Sequence, residues 1–220
     1  MLNWNKINTV LLDMDGTLLD LNFDNHFWLE FVPQRYAQKN QLSLAAAKQF
    51  LQPLFKSMEG RLEWYCLDYW SQQLNLDIAN LKAEISGLID VLPHVTEFLT
   101  TLQQTDKTVL LVTNAHPDSL SLKMEKTCLQ PFFEQIICSH DFGFAKEHQP
   151  FWEAFQAQQG FTKQATLMVD DSLSVLRAAQ SFGIAHLINI NKPDSQKAAK
   201  FINEFPAITD FREIMPPNVT

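Results

Sequence analysis

Val10-Leu11-Leu12-Asp13-Met14-Asp15-Gly16-Thr17 joins an apolar run to two carboxylates spaced i,i+2 and a glycine turn. The stretch over residues 7–12, which closes in the apolar run Val10-Leu11-Leu12, predicts a buried strand. Two acidic side chains at its carboxyl end then imply a metal site, a nucleophile, or both.

The pattern changes downstream of this stretch. Residues 23–92 carry helical periodicity, with helices expected over 27–39, 44–56, 62–74 and 78–85 and no comparable β-branched run. From Pro93 strands and helices alternate again. The expected order is helix 95–102, strand 108–112, helix 118–128, strand 135–138, helix 151–159, strand 166–169, helix 173–182 and strand 186–190. Apolar strands separated by helices specify an α/β fold with a mostly parallel sheet covered on both faces. Gly160 and Gly183 stand where helices should stop. The end of the chain, residues 216–220, reads as a fraying tail.

The polar residues that interrupt this scheme share one position. Asp13 and Asp15 follow the first strand, Thr113 and Asn114 the second, Lys146 lies in the loop after the third, and Asp170-Asp171 follow the fourth. In a parallel sheet these loops emerge at one carboxyl edge, where open α/β folds bind ligands. The four aspartates then form a hard oxygen cluster suited to Mg²⁺. No H-E-x-x-H or G-x-x-x-x-G-K-S/T run occurs, so zinc-protease and P-loop chemistry are disfavoured. Phosphoryl transfer on aspartate fits: Asp13 attacks phosphorus, and Asp15 protonates the leaving alcohol and then activates water. The Thr113 hydroxyl, the Asn114 backbone N–H and Lys146 hold the phosphoryl oxygens.

Composition sets the remaining bounds. The chain has 220 residues, 46% of them hydrophobic, and a formal charge of -8. That balance supports a large core and argues against a nucleic-acid surface, which needs clustered Lys and Arg. A small phosphomonoester is the expected partner, and oligomeric state is not legible. Cys66, Cys128 and Cys138 lack C-x-x-C spacing, and no leader or spanning run is visible. Reduced, buried thiols in a cytoplasmic protein with no membrane partner are expected.

These motifs resemble those of the haloacid dehalogenase-like hydrolase superfamily. They are Leu11-Leu12-Asp13-Met14-Asp15-Gly16-Thr17, Leu110-Leu111-Val112-Thr113-Asn114, Lys146, and Val169-Asp170-Asp171-Ser172. The resemblance implies a Rossmann-like three-layer core of residues 1–20 and 90–220, with 21–89 inserted as an alpha-helical cap. It also implies Mg²⁺ held by Asp13, the Asp15 backbone carbonyl and Asp171, with Asp170 assisting directly or through water. Two departures stand out. Val175 occupies the place of a second distal Asp, and Glu147-His148-Gln149 separates Lys146 from Pro150. Glu147 then either pairs with Lys146 or faces solvent.

A narrower resemblance is to bacterial GMP/IMP 5'-nucleotidases of this superfamily. It rests on Phe23-Asp24-Asn25, Phe27-Trp28, Trp64 through Ser71, and Thr113-Asn114-Ala115-His116-Pro117. It implies hydrolysis of purine nucleoside 5'-monophosphates, with a sugar phosphate or phosphoglycolate phosphatase as the alternative. Asp24, His26 and His116 are candidate substrate contacts, although turn and capping roles suit Asp24 and His26 equally. The aromatic pairs Phe27-Trp28, Trp64-Tyr65 and Tyr69-Trp70 are expected to pack among helices, with at least one ring free to line a base site.

Overall fold

A computed structural model describes residues 2–217. The tail expectation for 218–220 lies outside the described residues. Six strands form one all-parallel sheet in the order β3-β2-β1-β4-β5-β6. They are β1 Thr9–Leu12, β2 Thr108–Thr113, β3 Gln135–Cys138, β4 Thr166–Asp170, β5 His186–Ile190 and β6 Ala207–Ile208. β1 is central, with Leu11 aligned with Leu110 of β2 and Met168 of β4.

Alternation along β1 divides the core in two. Val10 and Leu12 face a cluster with Leu111, Val169 and helix α7 (Val95–Leu102), including Phe98. Leu11 faces the other way, into Met168, Trp152 and Phe155 of α9 (Gln149–Gln159) and Leu176 of α10 (Leu173–Phe182). Both faces are therefore covered, which explains why every residue of β1 is apolar or buried. Helix α8 (Pro117–Thr127) follows β2, and α9 and α10 end at Gly160 and Gly183 in the left-handed region. The strand order is Rossmann-like.

Between residues 22 and 84 the chain forms only helices and short turns: α1 Asn22–His26, a π-helical stretch Phe27–Phe31, α2 Val32–Asn40, α3 Leu44–Met58, α4 Leu62–Tyr65, α5 Leu67–Leu74 and α6 Ile78–Glu84. These helices bury their own apolar cluster, centred on Phe27, Leu51, Phe55, Trp70 and Ile78. The single helix expected over 62–74 is broken at Cys66. Its backbone is extended and its Sγ accepts from the Tyr69 N–H at 3.4 Å, which starts a new helix. Strand β6 was not expected, because two residues after Pro206 carry no readable alternation.

The cysteines are free, but only Cys138 is buried; Cys66 is half-buried and Cys128 is exposed. Cys128 is the left-handed residue that ends α8, which turns its side chain away from the core. No helix among the described residues is long and apolar enough to cross a membrane.

Candidate active site

The ends of β1, β2 and β4 and the loop after β3 converge at one edge of the sheet. The Asp13 N–H donates to the Val169 carbonyl at 3.0 Å, extending the β1–β4 ladder by one residue and fixing the Asp13 backbone. Its carboxylate accepts from Lys146 Nζ, which also donates to Asp170 Oδ2 at 2.8 Å and to the Val112 carbonyl at 3.0 Å. Three acceptors match the three ammonium protons. Burial alone would lower the Lys146 pKa, but Asp13 and Asp170 outweigh it and raise it. The Lys146 backbone is itself fixed: its N–H donates to Asn114 Oδ1 at 2.9 Å and its carbonyl accepts from Trp152 Nε1 at 2.7 Å.

Asp13, Asp170 and Asp171 each bring a carboxylate oxygen within 4.8 Å of the others. Burial pushes the Asp13 carboxyl up to about 7, against the pull of Lys146. Burial, with the neighbouring charges of Asp170 and Asp13, holds Asp171 well above the ordinary carboxylate range. One ammonium does not balance three clustered carboxylates. A small divalent cation with oxygen ligands fits this donor set and its charge deficit.

Gly16 makes the cluster compact. Its φ is +83°, and a Cβ there would lie 2.5 Å from Asp171 Oδ2. Only glycine supplies both the left-handed turn and the space for the distal aspartate.

Asp15 points into a separate network. Its Oδ1 accepts from Lys123 Nζ of α8 at 2.6 Å, and the same ammonium donates to Asp24 Oδ2 at 2.6 Å. Asp24 Oδ1 accepts in turn from Lys82 Nζ of α6, whose ammonium lies 4.8 Å from the ring centroids of Phe23 and Phe27. Burial raises the Asp15 carboxyl to about 6 even with Lys123 beside it. Burial also acts on Asp24, but Lys123 and Lys82 overcome it and hold that carboxyl well below its usual value. Asp24 is therefore a charge partner of two lysines, one at each carboxylate oxygen, at the edge of the cavity.

The other expected residues sort clearly. Thr113 is buried at the end of β2, and its Oγ1 accepts from the Ala115 N–H at 3.0 Å, leaving its own proton to donate. The Asn114 side chain serves the Lys146 loop, its Oδ1 accepting from the Lys146 N–H and its Nδ2 donating to Glu147. His116 lines the cavity and begins α8, its Nδ1 accepting from the Asp118 N–H at 3.3 Å. His26 is half-buried and does not line the cavity, whereas Asp24 and Asn25 just before it do.

Glu147 neither pairs with Lys146 nor simply faces solvent. It accepts from Tyr65 Oη at 2.6 Å and from Asn114 Nδ2 at 2.9 Å, linking the helical insert to the loop that carries Lys146. Lys82 and Lys123 thus line the cavity without a signal in motif spacing, whereas Tyr65 and Glu147 stand out in the sequence without their partners being legible. Lys123 has no sequence signal: only the structure shows that it is buried on α8, one turn beyond the buried Ser119.

These groups form the floor of a cavity of about 590 Å³, whose walls include Trp28, Phe55, Trp64 and Tyr65 of the insert. Trp70, by contrast, is fully buried among the helices. The aromatic pairs therefore divide between packing and cavity wall.

A family model for haloacid dehalogenase-like hydrolases matches residues 7–183. The chain is 39% identical over 213 residues to the GMP/IMP nucleotidase YrfG of Escherichia coli, covering 97% of this chain and 96% of the relative. It is 25% identical over 187 residues to the pyrophosphatase PpaX of Bacillus pumilus, covering 83% of this chain and 82% of the relative. Among solved structures, a phosphatase of the same family from Thermococcus onnurineus aligns with a TM-score of 0.78 at 22% identity, covering 94% of this chain and 96% of that one.

Proposed function

Because this chain belongs to the haloacid dehalogenase-like hydrolase family and is one of its phosphatases, we propose that it is a Mg²⁺-dependent 5'-nucleotidase. Its substrates are purine nucleoside 5'-monophosphates, GMP and IMP in particular, and its products are nucleoside and inorganic phosphate. The observation that carries this reading is the single cavity that runs from the Asp13–Lys146–Asp170 floor to an aromatic wall. Its volume of about 590 Å³ suits a nucleotide and exceeds what a two-carbon phosphate needs. The match to the E. coli GMP/IMP nucleotidase over nearly the whole chain supports the same substrate class.

In this reading Asp13, Asp171 and the Asp15 backbone carbonyl would hold Mg²⁺, with Asp170 assisting directly or through water. When bound, the ion supplies positive charge that lets an anionic carboxylate approach an anionic phosphoryl group. An Asp13 carboxylate oxygen forms a bond to phosphorus while the bond from phosphorus to the ester oxygen breaks. Asp15 gives its proton to that oxygen, which departs as the alcohol. Asp15 then takes a proton from water as the water oxygen bonds to phosphorus and the bond from phosphorus to the Asp13 oxygen breaks, restoring the carboxylate. Thr113, the Asn114 N–H and Lys146 hold the phosphoryl oxygens as charge moves across them.

The division into a core of residues 1–20 and 90–220 and a cap of 21–89 belongs to the same reading. The cap excludes water and presents Trp28 and Trp64 to the base. Cytoplasmic localisation follows from the intracellular nature of the substrate.

A phosphate-release panel tests the assignment. GMP and IMP should exceed sugar phosphates and phosphoglycolate in kcat/KM by at least about tenfold, and EDTA should remove the activity. Equal or better turnover of the non-nucleotide esters would reject it in favour of a small-metabolite phosphatase.

A further inference from the structure

Two buried lysines and two half-buried aspartates, Asp15 among them, form a chain of charges from the core to the insert, with Lys123 at its centre. Its ammonium donates at 2.6 Å to both Asp15 and Asp24, and Lys82 donates to the other oxygen of Asp24. Lys123 is 1% exposed and Lys82 is 3% exposed. Two ammonium groups face two carboxylates, so the set is neutral only when complete. Removing one member leaves another charged and desolvated, which is a strongly unfavourable state.

The connectivity of these residues gives the network a direction. Lys123 stands on α8, the helix that begins just after Thr113 and Asn114, so its position is tied to the proposed phosphoryl-holding loop. Asp24 belongs to α1, the first helix of the insert, and Lys82 to α6, its last α-helix. The insert is thus clasped to the core at both of its ends by the groups that hold Asp15. One oxygen of Asp15 is engaged by Lys123, which fixes the side chain and leaves the other oxygen for the reacting group.

We propose that Lys123 is the positioning residue for Asp15, and that the Asp24–Lys82 pair completes this support only when the insert is seated. This rests on the reading of Asp15 as the acid that protonates the leaving alcohol. Lys123 touches neither phosphoryl group nor leaving oxygen in this scheme; it acts through Asp15.

Leaving-group dependence tests the proposal. A nucleoside departs as an alkoxide unless it is protonated, whereas p-nitrophenolate departs readily as the anion. Single-turnover release of each, with saturating Mg²⁺, reads the first chemical step alone. Lys123→Met should slow nucleoside release from GMP by about 10²-fold while leaving p-nitrophenolate release nearly unchanged. Lys82→Met should show the same split with a smaller loss, and Lys123→Arg should recover part of the rate.

Equal slowing of both substrates by Lys123→Met, or no slowing of GMP, would overturn the proposal. If Lys123→Met does not fold, Asp24→Asn carries the test with the same expected split and the same contrary result. Asp15→Asn is the control. If it slows both substrates equally, the acid assignment fails, which is distinguishable from a failure of Lys123 to position a working acid.

Discussion

Asp13 and Asp15 are two residues apart, yet they are held by different lysines from different elements. Lys146 joins Asp13 to Asp170, and Lys123 joins Asp15 to Asp24. This separation suits a nucleophile and an acid that must not share one proton. Asp13→Asn should reduce phosphate release by more than about 10³-fold with an unchanged far-ultraviolet spectrum. Gly16→Ala should weaken Mg²⁺ binding, because a Cβ at that position meets Asp171 Oδ2 and the left-handed backbone is strained. Titration of Mg²⁺ by calorimetry measures that loss, and an unchanged affinity would separate Gly16 from Asp171.

The raised carboxyls give a pH dependence of definite sign. A carboxyl whose folded pKa lies above its ordinary 3.8 favours the folded state while protonated, and for Asp13 that contribution fades as pH rises toward about 7. Mg²⁺ needs the ionised oxygens and must displace those protons. The metal-induced rise in Tm should therefore be larger at pH 8 than at pH 5. A rise that is equal or larger at pH 5 would contradict metal binding at this cluster.

At the scale of elements, five of the six strands were legible from short apolar runs, and those of β1, β2 and β4 end abruptly in polar residues. Asp13, Thr113 and Asp170 could be brought to one edge on that ground alone. Lys123 and Lys82 could not, because a lysine on a helix reads as a solvated face until the tertiary packing that buries it is known. The break at Cys66 was hidden for a similar reason: helical spacing of apolar residues continues through it. Glu147 shows the converse, an unusual residue that could be noticed but not given its partners. Its bonds to Tyr65 and Asn114 join the insert to the Lys146 loop. Glu147→Ala should lower stability by about 2 kcal/mol, and combining it with Tyr65→Phe should cost less than the sum of the two. Denaturant melts of the single and double variants check both statements.

At the scale of the whole molecule, a chain of formal charge -8 attracts phosphate against its average field. Lys146, Lys123 and Lys82 are buried near the site but already paired with its carboxylates, so in the proposed reading the attraction for phosphate must come from a bound divalent cation. The core carboxylates and Trp28 and Trp64 of the insert line the same cavity, and in the proposed reading the first carry the chemistry and the second the selection. Replacing both tryptophans with leucine should raise the KM for GMP while sparing turnover of p-nitrophenyl phosphate. Equal effects on the two substrates would assign these rings to packing alone.

The central claim is that Asp13 carries the phosphoryl group, and reductive trapping tests it most directly. Enzyme quenched during turnover of GMP and treated with borohydride should yield homoserine in place of Asp13 on peptide mapping, with none formed in the absence of substrate. An unmodified Asp13 peptide under turnover, or reduction at another carboxylate, would contradict the account.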